Sequence, residues 1–182
     1  MHRALVLGAA AVVLGGGGLL SSRLPSAPAS PSRKAACAHP RLPRASAAGE
    51  IAQWGHLKSL VRRGARFELR FDPAFWLGGL TANRAAREDG VIGPRETVPN
   101  DYYVRDERHR LLTYLVPSNA RVTVITGLST QCSTTIPVTE LAAIVAGRNP
   151  RGRPLYDRRN VLGFWARIST DTIRSLDQQY QP

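Results

Sequence analysis

Lysine, methionine and cysteine are scarce in this chain of 182 residues. It has two lysines (Lys34 and Lys58), one methionine and two cysteines. Two cysteines exclude a disulfide-dense scaffold and cannot supply the four ligands of a structural zinc site. Histidine is also rare, and only His56 and His109 lie well inside the chain. No G-x-S-x-G accompanies them, so nothing marks a nucleophile with its base. No acidic spacing matches a calcium loop, and no cofactor or metal motif is present. Beyond Leu20 there is no apolar run long enough to cross a membrane. Acid is absent from the first 49 residues, although 13 acids follow from Glu50 onward.

That asymmetry divides the formal charge of +12. Residues 1–49 hold six bases, which leaves 25 − 6 = 19 bases against 13 acids in residues 50–182, a net of +6. Half of the charge therefore belongs to the N-terminal segment. The remainder is not the dense basic stripe of a nucleic-acid binder, so nucleic acid is not an expected partner.

Met1-His2-Arg3 is a positive start, and Ala4 to Leu20 is a charge-free apolar run interrupted by Gly15 to Gly18. It is short for a spanning helix, and glycine weakens helices, so the segment reads as a secretory signal. Residues 1–29 form the expected signal peptide, cleaved after Ala29 in Ala27-Pro28-Ala29. Ala36-Cys37-Ala38 is a rival site, and an uncleaved anchor is the other alternative. Lys34 stands where a lipoprotein site wants an aliphatic residue, which argues against lipidation of Cys37. Residues 30–49, rich in Pro, Ser, Ala and Arg, read as a linker, and 50–182 as a single β-rich domain. The expected location is extracellular. There Cys37 and Cys132 are candidates for a disulfide, provided cleavage leaves Cys37 in place.

Within the domain, Ile51–Val61 reads as a strand with Gly55 at a bend or a close backbone approach. Ile51, Gly55, Leu57 and Val61 fall on one face of it, Trp54 and Leu60 on the other. Phe67–Asp72 alternates with Phe67, Leu69 and Phe71 toward the core, making a hairpin that Pro73 closes. Phe75-Trp76-Leu77 reads as an apolar plug. Thr81–Asp89 suits a helix capped by Thr81 and stopped at Gly90, and Tyr102–Arg105 a short strand. Arg110–Val116 and Arg121–Thr126 flank Pro117-Ser118-Asn119-Ala120 as a second hairpin, followed by a Ser/Thr-rich loop, residues 129–135. Thr139–Ala146 is an amphipathic helix capped by Thr139 and stopped at Gly147, before strands at Phe164–Ile168 and Ile173–Leu176. Six or seven strands and two short helices make an α+β, mostly β domain. The expected topology is a small, partly closed antiparallel barrel of oligomer-binding-fold type.

The stretches Phe67–Leu77 (FELRFDPAFWL), Thr81–Gly90 (TANRAAREDG), Val98–Glu107 (VPNDYYVRDE), His109–Val116 (HRLLTYLV) and Asp171–Tyr180 (DTIRSLDQQY) resemble an uncharacterised group of secreted proteins from high-GC Gram-positive (actinobacterial) bacteria. The similarity covers roughly residues 51–182. It implies origin and location, in keeping with the arginine-for-lysine skew, and no activity.

Several side chains merit weighing as chemistry. Glu88-Asp89 at a helix end, Asp101 and Asp106-Glu107 offer carboxylates for acid–base work or a cation, but each has a local structural explanation. His56, on a strand beside Lys58, reads as a half-exposed structural histidine. Tyr102 and Tyr103, with Arg105, are flanked by polar loop residues and are the candidate contact surface. The function expected is a secreted, non-enzymatic binding or interaction module whose partner is an extracellular protein, a cell-wall polymer or a small ligand. The alternative is a small secreted hydrolase using acids near Asp101 and Glu88, for which Glu88, Asp101 and His109 would share one cleft.

Overall fold

The computed structural model describes residues 48–107, 110–127, 132–156 and 163–181. The chain divides into two units, Met1–Lys34 and Ala35–Pro182, and the described residues belong to the second. They form eight strands and two α-helices: β1 (Glu50–Arg63), β2 (Arg66–Gly78), α1 (Gly79–Glu88), β3 (Tyr102–Arg105), β4 (Leu112–Pro117), β5 (Arg121–Thr126), β6 (Cys132–Ile136), α2 (Val138–Val145), β7 (Gly163–Ser169) and β8 (Thr172–Gln178). The domain is α+β and mostly β. Among the described residues no helix is long and apolar enough to cross a membrane.

The strands run β3-β2-β1-β7-β8-β5-β6, and β4 joins both β2 and β8. Hydrogen bonding therefore returns on itself through β1, β2, β4, β8 and β7. The seam at β4–β8 is thin. It consists of one parallel pairing, Leu115 with Thr172, and a Leu115 N–H bond of 2.9 Å to the Asp171 carbonyl.

The ring owes its interior to period-two alternation. Phe67, Leu69 and Phe71 of β2 point inward with Phe164, Ala166 and Ile168 of β7, and Leu141 and Ile144 of α2 join the same buried cluster. On β1 the alternation breaks at an irregularity between Leu57 and Ser59. One extra residue lets Leu57 and Leu60 both reach the core, where uninterrupted pleating would put them on opposite faces. Ile51 and Val61, expected on the same face as Leu57, are exposed while Leu57 is buried.

Further expectations are corrected. Pro73 does not end β2, which continues to Gly78. β4 pairs with β2 as far as Phe71, and β3 takes over from Phe75. Pro73 falls between these pairings, where a missing N–H is tolerated on that edge. The supposed plug Phe75-Trp76-Leu77 is thus strand. β4 and β5 do not form a hairpin either. Both run parallel to β8, through Leu115 with Thr172 and Arg121 with Ser175, so Pro117–Ala120 offsets the chain without reversing it. β5 pairs antiparallel with β6, which makes residues 132–135 of the expected loop part of a strand. Finally, neither Thr81 nor Thr139 caps its helix; the residues preceding α1 and α2 are Gly78 and Pro137, and neither helix start has a side-chain cap.

Candidate functional site

Beyond the ring, the last third of β2 carries β3 on its outer edge, with Phe75 opposite Arg105, Trp76 opposite Val104 and Leu77 opposite Tyr103. The two faces of this extension meet different surroundings. On one, α1 lays Ala82 and Ala86 against Leu77 and Tyr103, with Val98 and Ile92 completing a small second core. The buried Asn83 side-chain oxygen accepts a 2.7 Å bond from the Val98 N–H, tying the following loop back to α1.

The helix does not cover that face completely. A groove of about 430 Å³ remains, with Phe75, Leu77 and Ala85 as its apolar lining and Thr81, Arg84, Glu88, Arg105 and Glu107 as its polar rim. A second hollow of about 280 Å³, lined by Gln53, Pro73, Ala74 and Leu112, shares Phe75 and Glu107 with the first. Phe75, at the junction, is 50% exposed.

The rim is held by one arginine. Arg105 donates through Nε to Asp89 Oδ2 at 2.9 Å and through Nη2 to Asp89 Oδ1 at 2.9 Å. The same Nη2 reaches Glu88 Oε2 at 3.1 Å and the Ala85 carbonyl at 2.9 Å. Arg84 adds a 2.9 Å bond to Glu88 Oε1, one helical turn away. These bonds favour the ionised carboxylates. Arg84 first and Arg105 second hold Glu88 below its usual range; Arg105 does the same for Asp89. A carboxyl so held is a poor general acid, since it has no proton to give near neutral pH.

The opposite face is aromatic. Tyr102 stacks on Trp76 with ring centroids 4.4 Å apart and planes 4° from parallel, and Trp76 tilts against Trp54 at 5.6 Å. Trp54 meets His56 edge-on at 4.9 Å. His56 lies directly opposite Asp72 across the β1–β2 ladder. Asp106, just past β3, completes a cluster in which one ligand-type atom from each of His56, Asp72 and Asp106 lies within 4.8 Å of the others. Lys58 pairs with Asp72 Oδ2 at 2.8 Å. Burial, then Lys58, lowers the His56 pKa against the opposing pull of Asp106 and Asp72. The His56 Nδ1 and Trp54 Nε1 atoms are buried without a hydrogen-bond partner.

The expected contact residues are therefore divided. Tyr102 belongs to the aromatic face. Tyr103 belongs to the helix face, where its hydroxyl donates to Asp89 Oδ2 at 3.0 Å. Arg105 lines the groove. Of the acids weighed, Glu88 and Glu107 line the groove, Asp106 joins His56, and Asp101 lines neither hollow. His109, Cys37 and Ala29 lie outside the described residues. Cys132, at the start of β6, is disulfide-bonded. Sequence reasoning passed over Phe75, expected in a plug, and Asp72, expected at the end of a strand; Pro73–Leu77 is apolar at every position, so no period-two signal marks the continuing strand.

No protein-family model matches the chain, and no curated protein or solved structure matches it.

Proposed function

We propose that this chain is an exported, non-enzymatic binding module of a high-GC Gram-positive bacterium, with the groove between α1, β2 and β3 as its ligand site. The observation that carries the reading is the half-exposed Phe75 at the junction of two hollows, beside rim charges Arg84, Glu88 and Arg105 that are already paired with one another. Such a surface offers apolar contact with polar groups at fixed places, which is the chemistry of a binding groove. Its natural occupant is an extended ligand with an apolar body and polar edges, drawn from an extracellular protein, a cell-wall polymer or a small molecule.

The finer fold assignment supports the same reading. A ring of strands ordered β1-β2-β4-β8-β7, with β4 parallel to β8 and a helix between β6 and β7, fits a partly closed barrel of oligomer-binding type. Such barrels bind ligands on their strand faces and connecting loops. Export accords with the disulfide at Cys132. In this reading Cys37 is its partner, and cleavage after Ala29 retains it.

The test is capture from cell-wall and culture-supernatant fractions with the wild-type protein and a Phe75→Ser variant, followed by mass spectrometry. A species retained by wild type and lost from the folded variant supports the groove. Turnover of an esterase, glycosidase, peptidase or nuclease substrate that Glu88→Gln abolishes would put the small secreted hydrolase in its place.

A further inference from the structure

We infer that His56, Asp72 and Asp106 form a binding site for a divalent transition-metal ion of the zinc or cobalt class. The three residues come from different segments, β1, β2 and the position just after β3, and meet on the face turned away from the core. Ligands each about 2.0–2.2 Å from one ion lie no more than about 4.4 Å apart. The donor atoms here already lie within 4.8 Å of one another, and Asp106 is exposed, so a small rotamer change brings them into range.

The donor set selects the class of ion. One imidazole nitrogen with two carboxylates suits borderline transition metals, whereas calcium and magnesium take oxygen alone. A second observation, independent of the carboxylates, is the buried His56 Nδ1 with no hydrogen-bond partner. Orphaned buried polar atoms are rare and call for an explanation, and a metal-ligating imidazole is one. Lys58 supplies the positive charge beside Asp72 when no ion is bound. It is about half exposed, so its ammonium can leave for solvent when a dication arrives.

Calorimetry with zinc chloride and visible spectroscopy with cobalt chloride test the site, using the untagged full chain after chelator treatment. Wild type takes up one equivalent of zinc and gives a cobalt ligand-field band. Asp106→Asn and His56→Ala each weaken zinc binding at least about tenfold, since even outer-shell partners of a metal site are worth that much. Lys58→Met tightens binding, a result that a purely structural histidine–aspartate pair does not produce. Asp106 is exposed, so its variant remains folded even if His56→Ala does not. The site is overturned if wild type takes up no zinc at millimolar concentration, or if Asp106→Asn binds zinc as tightly as wild type.

Discussion

The indole of Trp54 lies directly over Gly163: a Cβ built on Gly163 would stand 2.2 Å from Trp54 Cζ2. Gly163 faces His56 in the β1–β7 ladder, two positions from the Trp54–Trp165 pair and so on the same face. The missing side chain on β7 is what lets Trp54 lie down and become buried on the outside of the ring. Gly163→Ala should lift the indole and cost about 1–3 kcal/mol, the usual range for overpacking. A chemical-denaturation midpoint, followed with tryptophan fluorescence, checks both effects.

Phe71 is fully buried and anchors the inward face of β2. Phe71→Ala is expected to cost about 3–5 kcal/mol. A loss below about 1 kcal/mol in equilibrium unfolding would mean that the register of β2 against β1 and β4 is different.

Glu140 on α2 is buried and paired with Arg153 at 2.5 Å and Arg151 at 3.3 Å. The Asn149 side chain closes the same loop by bonding both the N–H and the carbonyl of Arg153. Glu140→Ala leaves the less exposed Arg153 without its carboxylate and should destabilise the domain by about 1–3 kcal/mol. Unfolding at neutral pH measures it, with faster hydrogen exchange in residues 149–154 as the local signature.

The Arg105 fork predicts a pH dependence. Glu88 and Asp89 have lowered pKa values in the fold, so their contribution is present above the unfolded carboxylate values, about 4. It disappears as pH falls through the folded values. Arg105→Met should therefore unfold more easily than wild type at pH 7, with the gap closing below about pH 4. The gap should be small, because these groups face solvent. Parallel denaturation curves across pH 3–7 measure it.

Local pattern revealed the β1–β2 hairpin, because Phe67, Leu69 and Phe71 each meet the core and Glu68 and Arg70 do not. It could not show that β4 and β5 refuse to pair. Pro117–Ala120 makes the same turn whether the chain reverses or only sidesteps, and the deciding partner, β8, comes much later in sequence. Likewise, the irregularity between Leu57 and Ser59 is invisible where every residue nearby suits a strand. For the site, His56, Asp106 and Arg105 were noticeable singly. Their companions follow from cross-strand register, His56 opposite Asp72 and Phe75 opposite Arg105, which no short window of sequence contains.

The strand order also sets when the domain can exist at all. Among the described strands β1 is made first, yet its second neighbour, β7, follows about 100 residues later. Pairings so distant in sequence form late and slowly. A partly synthesised chain has the β1–β2 hairpin but nothing to seal its other edge, and isolated hairpins are marginal in water. Such a polypeptide stays threadable until β7 and β8 have been made. If the chain crosses a narrow pore, as the proposed export requires, that late closure keeps it passable.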